Sequence, residues 1–186
     1  MENRRLQLMV EVALSAVIAY LLSFVPLKIG SSYSINLSLL ALWLLALRRG
    51  WKGGVAGGAL LGLLQLVTGQ ASILTIFQAI IEYPFAFTLA GLAGLWYVPV
   101  HQQLKNSDNK GVLTTTALAT FVACFTEYII HFFAGWVFWA AYAPEGMSPA
   151  LFSLIANGVS CIATWFVCWL VLYFLIKTSP RLVLAK

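Results

Sequence analysis

Charge is what this sequence has least of. Only 9% of its 186 residues are Asp, Glu, Lys or Arg, against about 25% in an ordinary soluble domain. So few charged groups cannot cover a water-facing surface, and a soluble globular domain is excluded. At 61% hydrophobic and a mean hydropathy of +0.90, disorder and a coiled coil are excluded as well. Cysteine is also scarce. Cys124, Cys161 and Cys168 are odd in number, lie in apolar stretches and form no CxxC, which excludes a disulfide-rich secreted module. They read as small core residues, not as bridges or metal ligands. No GxxxxGK[ST] occurs, so the chain has no phosphate-cradling loop with which to hydrolyse a nucleotide. Metal-ligand spacings, nucleophile–base pairs and paired aspartates are missing too, which leaves an intramembrane enzyme with little support. The basic residues are scattered through short segments instead of forming one stripe, which argues against a nucleic-acid partner.

What is present is apolar sequence in long runs. At ~20 residues per crossing, the length allows about six helices with short loops, so 1–186 reads as a single membrane domain. Polar punctuation places the spans near 6–26, 34–48, 53–69, 72–98, 111–139 and 150–177. The first run is too long for a cleavable signal peptide and reads as a retained helix. The second and third are short, and the third is glycine-rich, so a re-entrant hairpin is an alternative there. Ten of the 11 Lys and Arg fall at the termini, in 48–52 and in 105–110, and only Lys28 falls on the other side. The positive-inside rule then puts both termini in the cytoplasm. The expected architecture is an all-α integral membrane protein, a compact six-helix bundle in the lipid bilayer. Its outward loops are 28–34, 69–71 and 142–149.

Ionisable groups at membrane depth carry the functional signal, because a charge there is costly. No Lys or Arg lies between Lys52 and Lys105 or between Lys110 and Lys177, whereas Glu82 and Glu127 do. A buried carboxylate takes up a proton or finds a cation, and a cationic ligand would supply the missing charge at Glu82. Glu127 shares a helix face with His131, four residues on; the pair relays a proton or merely satisfies itself. Pro84 follows Glu82-Tyr83, removes a backbone donor and frees a carbonyl near Ile80. Such a break lines a cavity or is an ordinary kink. His131, Gly135, Trp136, Trp139 and Tyr142 recur at three- and four-residue steps. Trp136 and Tyr142 suit an interfacial belt, while Trp139 is placed to stack on a planar ligand held at His131. Asn157 offers an amide for a heterocycle edge or for a helix–helix hydrogen bond. In the third span, GxxxG at 53/57, 54/58 and 58/62 reads as close helix packing.

The segments Gly-Leu-Leu-Gln-Leu-Val-Thr-Gly (62–69), Ile-Glu-Tyr-Pro-Phe-Ala-Phe (81–87), Glu-Tyr-Ile-Ile-His-Phe-Phe-Ala-Gly (127–135) with Trp139, and Asn157-Gly158 are similar to one family. Together they resemble the thiamine-specific substrate-binding component (ThiT family) of energy-coupling factor transporters. The resemblance spans nearly the whole chain. It implies a six-helix subunit of the bacterial plasma membrane that binds thiamine from outside. That subunit would work with a transmembrane coupling subunit and two ATPase subunits, which use the ATP; no cofactor is implied in this chain. Carried over by motif, Glu82, Tyr83, His131, Trp139 and Asn157 are the implied thiamine-binding positions. Phe152 stands where the family places an aromatic residue, Tyr33 lies in the implied lid, and Ala13-x-x-x-Val17 and Ser15-x-x-x-Ala19 are the small surfaces on helix one. The chemistry agrees, since thiamine joins a permanently cationic thiazolium to a planar aminopyrimidine. A stand-alone proton-coupled importer of a cationic aromatic molecule is the competing reading, with Glu82, or Glu127 and His131, as the relay. A purely structural bundle leaves Glu82 unexplained.

Overall fold

The computed structural model describes residues 2–25, 27–29 and 33–184. Six helices form: α1 (Glu2–Leu22), α2 (Ser38–Arg49), α3 (Trp51–Val67), α4 (Ile76–Lys105), α5 (Asn109–Val137) and α6 (Pro149–Thr178). Local chemistry sets several starts. Thr75 Oγ1 accepts from Gln78 N at 3.1 Å, Asp108 Oδ1 from Gly111 N at 2.9 Å, and Ser148 Oγ from Leu151 N at 3.3 Å. Each satisfies a donor that the first helical turn leaves open.

Four of the helices, α1, α4, α5 and α6, are long and apolar enough to cross a bilayer on their own. The expected second span is different. Its helix has only 12 residues, about 18 Å at 1.5 Å per residue. The chain reaches the start of α2 through an antiparallel hairpin, β1 (Lys28–Ile29) with β2 (Tyr33–Ser34), and an extended stretch 35–37. Polar backbone at that depth needs partners, and it has them. Ile35 N donates to Leu27 O at 2.8 Å, Asn36 N to Thr164 Oγ1 at 3.0 Å, and Ser34 N to Ser160 Oγ at 3.2 Å. Asn36 Oδ1 in turn accepts from the N–H of Ser38, the first residue of α2, at 3.2 Å. Residues 30–32 of the expected lid lie outside the described residues, whereas Tyr33 is half-buried in β2.

No re-entrant hairpin forms, because α3 is one continuous helix of 17 residues. Its small residues divide between two neighbours. Gly54, Gly58 and Gly62 face α4, where an added Cβ would strike Gly91, the Phe87 carbonyl and the Pro84 backbone in turn. Gly57 faces Leu42 and Leu45 of α2. The GxxxG register therefore brings α3 and α4 backbone to backbone, which fixes the height of residues 82–87.

At the far end of α2 from the hairpin, Glu11 of α1 is held by both arginines that end the helix. Arg48 Nε donates to it at 2.9 Å and Arg49 Nε at 2.5 Å. Arg48 Nη1 also donates to the carbonyls of Arg181 and Leu182, both at 2.9 Å. This end gathers the described start and finish of the chain, consistent with an even number of helices. Glu11 is a further carboxylate within the apolar helices, beyond the two that the spacing of basic residues singles out. It is matched by two arginines, whereas Glu82 meets only neutral donors and Glu127 faces only His131 among the described residues. On α1 the small pairs separate: Ala13 and Val17 are exposed, Ser15 is half-buried and Ala19 is buried.

Candidate functional site

Pro84 cannot donate to the helical ladder, and α4 absorbs the gap as a π-turn over Ile81–Phe85. Such bulges often mark functional sites because they rotate side chains out of the regular register. Here the turn presents Glu82 and Tyr83 on the side that meets α5. The Glu82 carboxylate accepts from Trp139 Nε1, at 3.2 Å to Oε1 and 3.1 Å to Oε2, and from Gln78 Nε2. Both donors are neutral. No ion pair among the described residues involves Glu82, so its charge is solvated by dipoles but not compensated.

Tyr83 is fixed by Ser72, whose N–H donates to the phenol oxygen at 2.8 Å. Gln78 ties down the same loop, accepting from Leu74 N at 2.9 Å and donating to Ser72 O at 3.0 Å. Across the bundle, Asn157 Nδ2 donates to Ser153 O at 3.0 Å and to the His131 carbonyl at 3.4 Å. The helix–helix role of Asn157 is thus real, and no donor among the described residues reaches its Oδ1. His131 meets the Tyr128 and Phe87 rings edge-on, at centroid distances of 5.6 and 6.3 Å.

Tyr83, His131 and Asn157 share a cavity of about 360 Å³ beneath the hairpin, within the size range of small-molecule sites. Glu82 and Trp139 form the adjoining carboxylate–indole contact and are not among the cavity's lining residues. The five sequence-selected residues therefore fall into a cavity group of three and a neighbouring bonded pair. Trp139 does not continue the α5 stripe. The helix ends at Val137, two residues before the expected limit, and the chain turns at Trp139 (φ −102°, ψ 17°) into a short 3₁₀ segment, Ala140–Tyr142. The indole reaches Glu82 from that turn. Gly135 instead packs on α6, where an added Cβ would meet Ser153 Oγ. Trp136 and Tyr142 are exposed, as an interfacial belt requires. Phe152 is half-buried and is not among the lining residues.

Several polar lining residues escape the sequence reading. Gln65, 6% exposed, lines the cavity, and no donor among the described residues reaches its Oε1. Gln70 Nε2 donates to Ser23 Oγ at 2.8 Å, joining the end of α1 to the 69–71 turn at the cavity rim. The signal for both was a lone amide in or beside a glycine-rich apolar helix. Lys28, the one basic residue outside the clusters, also lies in the wall.

Comparison with known proteins follows the same line. The family model for thiamine transporter proteins (Thia_YuaJ) matches residues 9–184. The thiamine transporter ThiT of Lacticaseibacillus paracasei is 34% identical over all of this chain and 94% of its own length. ThiT of Bacillus subtilis is 26% identical over 97% of this chain and 96% of its own. A solved structure of ThiT from Listeria monocytogenes superposes with a TM-score of 0.95 at 39% identity, covering 97% of this chain and 99% of that one. Matched by that family model over residues 9–184 and by these relatives over nearly its full length, the chain belongs to the thiamine transporter protein family, multi-pass proteins of the cell membrane with a transport rather than a catalytic role.

Proposed function

We propose that this chain captures thiamine in the cavity beneath the β1–β2 hairpin and acts as the substrate-binding subunit of an energy-coupling factor uptake system. The observation that carries the reading is Glu82, a carboxylate at membrane depth with neutral donors and no cation. A thiazolium beside it supplies the opposite charge, and the Trp139 indole adds an aromatic face, worth roughly 2 kcal/mol to a desolvated cation. Tyr83, His131 and Asn157 then surround the aminopyrimidine. The open Oδ1 of Asn157 and Oε1 of Gln65 are acceptors suited to its amino group.

The hairpin faces outward in this reading, since ten of the 11 basic residues lie toward the opposite end. Transport needs a coupling subunit and two ATPase subunits. The exposed Ala13 and Val17 on α1 provide a small-residue surface for the former. The competing reading, a proton-coupled importer, draws on the Glu127–His131 pair. Reconstitution separates them. Vesicles holding this chain alone should not accumulate thiamine, with or without a proton gradient, and accumulation should appear when the coupling subunit, ATPases and ATP are added. Gradient-driven accumulation by the isolated chain would overturn the first reading.

A further inference from the structure

Glu127 has no part in the binding reading above, yet its environment is the harshest for a charge in the bundle. Its side chain is completely enclosed, and neither carboxylate oxygen meets a hydrogen-bond donor among the described residues. Its one ion-pair contact among the described residues is with His131 Nε2 at 3.7 Å, one helical turn on. That is too long for a hydrogen bond and short enough for an ion pair. His131 itself forms part of the cavity wall, with 21% of its side chain exposed.

Of the other ionisable groups around the pair, only Lys28 is basic, and it makes no ion pair with Glu127. Cys124 and Tyr128 lie on α5, Cys161 and Cys168 on α6, Glu82 and Tyr83 on α4, and Lys28 at the cavity wall under the hairpin. Among the described residues, the only ion-pair partner of Glu127 is His131. A carboxylate cut off from water carries charge only beside a cation, and otherwise holds a proton. Without a ligand, the pair therefore keeps one proton: a neutral acid beside neutral imidazole, or a carboxylate beside imidazolium. Its net charge is zero either way.

A ligand with a fixed positive charge upsets that balance, because even when paired with Glu82 its charge disfavours a proton held by His131, which lines the same cavity, or by Glu127 behind it. We propose that a cationic ligand entering the cavity displaces into solvent the proton held by Glu127 and His131, so that binding exchanges one cation for another. The inference rests on the reading of the cavity as the site of a cationic vitamin. Charge balances: a neutral pair with one proton plus a monocation yields an anionic pair, the bound monocation and one free proton. Glu82 differs, since two N–H donors already serve its oxygens. Linkage fixes the sign. Because the free state holds the proton that the bound state lacks, affinity rises with pH, by up to about tenfold per unit while the pair remains protonated.

The test is calorimetric titration of the detergent-purified chain with thiamine, across mildly acidic to mildly alkaline pH and in buffers of different ionisation heat. Wild type should release close to one proton per thiamine bound. Glu127→Gln should bind with little release and a flat pH profile, because the amide gives His131 no anion to keep it protonated. An uncharged analogue, with a neutral ring in place of the thiazolium, should release none from wild type. That comparison decides the matter even if Glu127→Gln fails to fold. Thiamine binding without proton release, equal release by Glu127→Gln, or equal release by the uncharged analogue overturns the inference and leaves the binding reading standing. Absence of thiamine binding by wild type overturns both.

Discussion

Replacing Glu82 by glutamine keeps the shape of the side chain and removes its charge. The carboxylate now serves three contacts, two from Trp139 Nε1 at 3.1 and 3.2 Å and one from Gln78 Nε2. Gln78 cannot turn its amide over without losing its own bonds to Leu74 N and Ser72 O. A glutamine at 82 can thus offer its carbonyl to Trp139 or to Gln78, while its amide confronts the other donor. In the unliganded protein that loss amounts to one hydrogen bond, about 1 kcal/mol. With thiamine bound, the loss is a charge-assisted contact in a desolvated setting, about 1.5–3 kcal/mol, or roughly ten- to a hundredfold in Kd. Thermal stability and thiamine affinity measured on one detergent preparation separate the two effects. The melting temperature should fall slightly and the affinity sharply, and an uncharged analogue should lose far less affinity than thiamine. If both ligands weaken equally, or the unliganded mutant falls apart, the electrostatic role assigned to Glu82 is wrong.

Two further substitutions probe the scaffold and the cavity separately. Gly58→Ala places a methyl on the Phe87 carbonyl and should lower thermal stability by about 1–3 kcal/mol, whereas Gly158→Ala, with open space around it, should be neutral or gain up to about 1 kcal/mol. Equal melting of the two would refute the close α3–α4 packing. Gln65→Leu removes a buried acceptor that no donor among the described residues reaches and should raise the stability of the unliganded protein by about 1–3 kcal/mol while weakening thiamine binding. A mutant that binds thiamine as wild type does would exclude Gln65 from the site.

Six apolar segments, their order and the asymmetry of the basic residues were legible in the sequence, because a hydrocarbon slab imposes one length scale on every crossing. The shortness of α2 was not. A hydropathy run over 34–48 looks the same whether it is one helix or an extended segment feeding a short one. The donors and acceptors that make the second possible, Ser160 and Thr164, come from more than 120 positions away. Pro84 announced a break in α4 but not that the break would be a π-turn aiming Glu82 at Trp139. The i, i+4 geometry of Glu127 and His131 follows from sequence alone; the absence of any donor for Glu127 required the surrounding helices. Glu11 was hidden in plain view, because Arg48 and Arg49 read equally well as loop charges that set topology. Gln65 and Gln70 were isolated amides with no partner in sequence to suggest a wall.

The central claim, that the cavity under the hairpin is a thiamine site, meets its most direct test in a titration of the purified chain with thiamine in the absence of ATP. Trp139 lies against Glu82, so a ligand compensating that carboxylate must alter the indole environment. The account predicts saturable binding at about one thiamine per chain, with heat released or absorbed and tryptophan fluorescence quenched, and with the quench lost in Trp139→Phe. A titration showing neither heat nor quenching would contradict it while leaving the six-helix membrane fold intact.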